Sequence, residues 1–288
     1  MSDEPKTDTP GELEAKLERY RLMVNEAHGE LIHASPYGPR VAAMLEAANL
    51  ILLSDAAKRI RGVIPLLLAE QGVCDEAYAV RCGVLVELLH FASLIHDDVL
   101  DEADERRDVP AINALFDSAH AVLVGDHFIC EAIEYALRTP RNTEVIAACT
   151  RAIKELIHGV FLERRLEKED LGFDTYRQMA GLKTGALFQL AFELPLIGTP
   201  NAERAARVGR DFGILFQVYD DWFDRDIDPG WINAYAFLSR EEGSAFCGEL
   251  FSAVAAEARA AGIFGVVAQI VRYLQRHDYF ADASLDSS

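Results

Sequence analysis

Asp97, Asp98 and Asp101 sit together at the end of an apolar run that starts at Glu87, and Arg106 and Arg107 follow them directly. If the run is a helix, residues i and i+4 share a face, so Asp97 and Asp101 point the same way with Asp98 at their flank. Three carboxylates this close repel unless a cation sits among them. Hard oxygen donors suit Mg²⁺, which takes one or two carboxylates and completes its shell with water and substrate phosphate. The two guanidinium forks suit the phosphate itself, which they bind bidentately. The same i, i+1, i+4 spacing recurs as Asp220, Asp221 and Asp224 in Phe-Gln-Val-Tyr-Asp-Asp-Trp-Phe-Asp, again after an apolar stretch. One such cluster is most simply a solvated helix end. Two of them on apolar helices, one trailed by Arg-Arg, point to paired metal sites facing phosphate.

With these residues in view, the chain resembles the trans-isoprenyl diphosphate synthases, also called polyprenyl synthases. Asp-Asp-Val-Leu-Asp-Glu-Ala-Asp-Glu-Arg-Arg matches the family's first aspartate-rich motif, and Phe-Gln-Val-Tyr-Asp-Asp-Trp-Phe-Asp matches the second. Lys58-Arg59-Ile60-Arg61 and Lys183-Thr184-Gly185 match two further signatures in order, and the likeness runs from about residue 50 to 225. The resemblance implies an all-α, single-domain isoprenoid-synthase helical bundle around a central cavity. It implies a Mg²⁺-dependent transferase, with three ions when substrate is bound, that joins isopentenyl diphosphate to an allylic diphosphate. It also implies a homodimer. Asp97, Asp101 and Asp220 would be the main metal ligands, supported by Asp98, Asp221 and Asp224. Arg106 and Lys183 would hold the allylic diphosphate, and Lys58, Arg61, His90 and Arg107 the isopentenyl one. Thr184 and Gln217 would turn dipoles toward the developing cation, and Phe216 would pack on the isoprenoid tail. The family residue five before the first aspartate is aromatic in many short-chain enzymes. Here it is Ala92, followed by Ser93, so a product of C20 or longer is expected.

Three departures stand out. Ala56 and Ala57 replace two glycines ahead of the basic segment, and Gly62 replaces a proline. Gly159-Val160-Phe161-Leu162-Glu163 keeps only the glycine and an acid of the family's Gly-Gln-x-x-Asp. No Gly-Lys pair follows the second motif, and Lys183 is the last lysine in the chain. The lost Gly-Lys and Gly-Gln elements favour a non-catalytic or regulatory subunit as an alternative reading, which both intact aspartate clusters oppose. A class I terpene cyclase is a second alternative, opposed by the second aspartate motif and the Lys58–Arg61 segment.

The elements that must position these residues read as helices, because apolar spacing is 3–4 throughout and alternating β-branched runs are nearly absent. Helices are expected from Pro10 into residue 32 and over Val41–Ser54, Gly62–Gln71, Cys82–Leu100 and Ser118–Leu137. Others are expected over Thr143–Glu169, Asp174–Phe192, Arg204–Asp224 and Asn233–Phe280. Residues 1–10 read as a disordered lead, 11–283 as the domain and 284–288 as a frayed tail. The 288 residues are 50% apolar, enough for a large core. A formal charge of −19 argues against nucleic acid and anionic membrane surfaces as partners. No apolar run reaches the roughly 18 residues of a membrane span. Five scattered cysteines without Cys-x-x-Cys spacing suggest reduced thiols and a cytoplasmic protein.

Overall fold

The computed structural model describes residues 10–31, 39–53, 59–106, 109–166, 169, 172–223 and 233–276. Residues 1–9 of the expected lead, the expected tail, and Lys58, Arg107 and Asp224 lie outside the described residues, while Pro10 already belongs to the first helix. The helices run in chain order α1 (Pro10–Leu31), α2 (Pro39–Leu52), α3 (Ile60–Glu70), α4 (Glu76–Leu100), α5 (Ile112–Leu115) and α6 (Ser118–Ala136). They continue as α7 (Asn142–Leu166), α8 (Phe173–Lys183), α9 (Gly185–Glu193), α10 (Ala202–Phe223), α11 (Arg240–Ala261) and α12 (Phe264–Gln275). The described strands are one short antiparallel pair, β1 (Glu105–Arg106) and β2 (Val109–Pro110), joined in register Arg106 to Val109.

α4 is the axis of the bundle, packed against α1, α3, α6 and α9. It starts at Glu76, earlier than the apolar pattern suggested, because the Asp75 carboxylate caps it and accepts from the Tyr78 N–H at 2.8 Å. It is long and apolar enough to cross a membrane, a test that a mostly buried core helix also passes. Phe91 meets Phe128 of α6 edge to face at 5.0 Å, and Ala92 is buried beside it.

A charged knot fastens α4 to the first three helices. Glu87 and Arg59 are 2% and 1% exposed at their side chains and meet at 2.9 Å. Arg59 also donates to Asn25 of α1 at 3.0 Å and to the Leu52 carbonyl at the end of α2. Its backbone is held at φ 53°, a left-handed conformation that side chains tolerate only when their surroundings enforce it. The other Glu87 oxygen accepts from the Gly62 N–H at 2.8 Å. Proline lacks that N–H, so the departure at position 62 is the backbone half of this knot.

Two expected helices are interrupted. The stretch 174–192 breaks at Thr184 into α8 and α9, which turns the Thr184 side chain toward α10. α10 lies close against α9 there, since a Cβ on Gly213 would stand 2.5 Å from the Gly185 Cα. The stretch 233–280 divides into a 3-10 turn at Ala234–Ala236, then α11 and α12, with Gly262 at φ 72° ending α11.

Candidate active site

The first aspartate cluster ends α4, and two of its carboxylates bond an arginine. Asp98 is buried and turned to the hairpin, where it accepts from Arg106 Nε at 2.8 Å and from a second guanidinium nitrogen. Asp101 caps α4 and accepts from Arg164 Nη2 of α7 at 2.7 Å. Asp97, one turn earlier on the same face, stands in the field of Lys183. Burial pushes the Asp97 carboxyl up to about 6; Lys183 and Arg106 oppose the rise, and Glu163 and Asp101 add to it. Lys183 Nζ is held 2.6 Å from Glu163. Burial alone would lower its pKa, but Asp97 and Glu163 outweigh that and hold it above its ordinary value. Gly159, the retained glycine of the modified motif, explains the approach. A Cβ there would stand 2.5 Å from the Lys183 backbone nitrogen, so only glycine lets α8 end against α7.

The second cluster is wired to the α8–α9 break. Thr184 Oγ1 bonds Gln217, and Gln217 Nε2 donates to Asp221 Oδ1 at 2.7 Å. Asp221 Oδ2 accepts from the Tyr176 hydroxyl and from the Ala234 N–H at 2.7 Å. Burial pushes the Asp221 carboxyl up to about 6 against the pull of those three donors. With both oxygens engaged, Asp221 ties the turn after α10 to α8, and this leaves Asp220 as its half-exposed neighbour at the site.

A third group lies behind these. Arg61 Nη1 is 3.3 Å from His90 Nε2, and the guanidinium stacks over Phe188 at 4.5 Å and Phe216 at 5.8 Å. Burial lowers the Arg61 pKa while Glu87 and Asp220 raise it, and its Nε is buried without a partner. An enclosed arginine with an unspent donor is suited to an anion. Asp220 acts electrostatically on this arginine, which connects the second cluster to the Arg61–His90 pair.

The fold therefore gathers Asp97, Asp98, Asp101, Arg106 and Lys183 as one set, Thr184, Gln217, Asp220 and Asp221 as a second, and Arg61, His90 and Phe216 as a third. Sequence reasoning missed Arg164, Glu87 and Tyr176. Only Glu87 had a visible signal, as a lone acid in the run Val-Leu-Val-Glu-Leu-Leu. His96, beside the first cluster, turns instead to α6, with Nε2 3.3 Å from the Val122 carbonyl. Among the described residues no three Asp, Glu, His or Cys side chains form a ready metal cage. The donor chemistry nevertheless fits Mg²⁺: Asp97 and Asp101 are partly exposed carboxylates on one helix face, and a pair of that kind leaves coordination positions for phosphate and water.

A helical bundle with two aspartate-rich helix ends, bridged by a lysine–threonine pair, has the architecture of the isoprenoid synthases. The chain belongs to the polyprenyl synthetase family, whose family model matches residues 42–233. The decaprenyl-diphosphate synthase of Dictyostelium discoideum is 34% identical over 172 residues, which are 58% of this chain and 37% of that enzyme. The geranylgeranyl pyrophosphate synthase of Geoglobus acetivorans is 31% identical over 212 residues, 70% of this chain and 65% of that one. These matches thus span less than two thirds of the relatives' own lengths. A crystal structure of an FPP/GFPP synthase from Zymomonas mobilis superposes with a TM-score of 0.78 at 26% identity, covering 93% of this chain and 99% of that one. Geranyltranstransferase from Thermotoga maritima shares the fold, with a TM-score of 0.81 at 24% identity over 91% of this chain and 98% of that one.

Proposed function

We propose that this chain is a prenyltransferase that condenses isopentenyl diphosphate head to tail with an allylic diphosphate, releasing pyrophosphate and a trans-polyprenyl diphosphate of C20 or longer. The observation that carries this reading is the presence of two cation-bearing sites. Lys183 and Arg106 stand at the first aspartate cluster, and the Arg61–His90 pair has its own partners in Phe188 and Phe216. Two sites suit a reaction with two diphosphate substrates, whereas a cyclase needs one.

Asp97, Asp101 and Asp220 would hold Mg²⁺, which supplies the positive charge that a departing pyrophosphate requires. Lys183 and Arg106 bind the allylic diphosphate as fixed cations, and they gain most as charge builds on the leaving group. Arg61 and His90, with Lys58 and Arg107, orient isopentenyl diphosphate so that its double bond faces the allylic carbon. Breaking the allylic C–O bond leaves a carbocation. The isopentenyl double bond attacks it, and loss of a proton restores a double bond. Thr184 and Gln217 direct oxygen dipoles toward that cation. No protein base is assigned, and the departing pyrophosphate is the acceptor for the proton.

Incubation with Mg²⁺, isopentenyl diphosphate and C5, C10 or C15 allylic diphosphates should yield linear diphosphates of C20 or longer. Cyclised hydrocarbons, or no product from any primer, would reject the reading. The length rests on Ala92, a small residue buried on α4 two helical turns before the end of the first cluster. A phenylalanine there would overfill the space by about one isoprene unit, and overpacking typically costs ~1–3 kcal/mol. Ala92→Phe should therefore shorten the main product by at least one unit, read by mass spectrometry. An unchanged product distribution would remove Ala92 from the tunnel wall.

We further propose a homodimer, supported by exposed apolar side chains Leu115, Leu123, Ile157 and Phe161 on α5, α6 and α7. Light scattering should then give twice the 31.9 kDa chain mass, and a monomer at micromolar concentration would refute it.

A further inference from the structure

The chain has no lysine beyond Lys183, so any cation that makes up for the missing Gly-Lys must be an arginine or lie earlier. Several later arginines are committed away from the aspartates: Arg204 and Arg207 to Glu257, Arg210 to Glu155 and Arg276 to Glu14. Arg164 is placed differently. It lies in the last turn of α7, directly after the Glu163 that holds Lys183. Its Nη2 donates to Asp101 Oδ1 at 2.7 Å and to the Leu100 carbonyl at 2.9 Å. It therefore covers the C-terminal end of α4, where unpaired carbonyls and partial negative charge collect. Its side chain is 34% exposed and that of Asp101 21%.

We propose that Arg164 is a diphosphate-binding residue of this chain, resting on Asp101 while the site is empty and passing to substrate phosphate when Asp101 takes up metal. The inference rests on reading Asp97 and Asp101 as the metal-binding pair. A partly exposed ion pair contributes little net stability, so giving up Asp101 costs little. A guanidinium fork then gains charge-assisted bonds to phosphate oxygens, for which its geometry is suited. The exchange also makes Arg164 and the metal competitors for one carboxylate before substrate arrives, and partners on the diphosphate afterwards.

That sign reversal gives the test. Mn²⁺ binding to the full chain without diphosphate is read by electron paramagnetic resonance, and binding of inorganic pyrophosphate at fixed Mg²⁺ by calorimetry. Wild type, Arg164→Met, Arg164→Lys and Asp101→Asn are compared. Arg164→Met should bind Mn²⁺ more tightly than wild type, because the competing cation is gone. It should bind pyrophosphate with Mg²⁺ roughly tenfold to a hundredfold more weakly, the loss expected for one charge-assisted contact. Arg164→Lys should fall between. Unchanged Mn²⁺ affinity, or a fall in both affinities together, would overturn the proposal, since a merely structural role moves both the same way. If wild type binds Mn²⁺ no better than Asp101→Asn, the metal reading itself fails and takes the proposal with it. A wild-type response that separates from Asp101→Asn while Arg164→Met matches wild type sinks only the role of Arg164.

Discussion

Replacing Asp97 with alanine should lower turnover about a thousandfold or more while leaving the helical circular-dichroism signal intact. The expected size follows from removing a preorganised electrostatic element at the leaving group, a change that typically costs ~10²–10³-fold in turnover for one hydrogen-bond donor and more for a metal ligand. Stability should move the other way. The folded-state pKa of Asp97 is raised to about 6 by burial, above its unfolded value. A raised pKa means that the protonated form suits the fold better. That contribution is complete below the unfolded pKa and is lost as pH rises through about 6. At neutral pH without metal the ionised carboxylate therefore strains the fold, and Asp97→Ala should melt at the same temperature or higher. Lys183 keeps its 2.6 Å partner Glu163 in the variant, so the lysine is not stranded. Asp220→Ala should lose turnover comparably. Near-normal turnover in either variant would remove that aspartate from the metal set. A large fall in melting temperature for Asp97→Ala would instead make it a structural residue.

The second large effect falls on stability. Glu87→Leu should destabilise the fold by about 3–5 kcal/mol, because it leaves a buried guanidinium without its counter-charge. The same change removes the acceptor for the Gly62 N–H and so opens two bonds at once. Spread over a chain of this size, that loss is roughly a 10 °C fall in melting temperature. Arg59 cannot swing into solvent, since its other nitrogens are fixed to Asn25 and to the Leu52 carbonyl. Glu87→Gln keeps an acceptor of nearly the same shape and should cost less than the leucine. Urea or thermal unfolding reads the order. A leucine variant within about 1 kcal/mol of wild type would mean that the knot contributes no more than a surface pair.

Arg61, Lys183, Thr184 and Gln217 were reached through the family resemblance, whereas the helical class and the two aspartate clusters were legible in the residues themselves. The physical reason is locality: a 3.6-residue period fixes which residues share a face, and i, i+4 carboxylates declare themselves without a fold. Asp224 was read from the same spacing, Arg107 as half of the arginine pair and Lys58 from the resemblance, and all three lie outside the described residues. Helix breaks were less legible: Gly185 beside the Thr184 break is a weak local signal, and the close approach of α10 to it shows only in the fold. Tertiary structure alone decided how the charges are shared. Asp98 serves Arg106, Asp221 is consumed by Tyr176, Gln217 and the Ala234 N–H, and Asp101 receives Arg164 from a helix distant in sequence. Arg59 and Arg61 are two residues apart in one basic segment, yet one locks the core against Glu87 and the other faces His90. Spacing says which side chains lie on one face. What stands opposite each of them depends on contacts between helices far apart in the chain, and those contacts set whether a carboxylate is neutralised by an arginine or left for a metal.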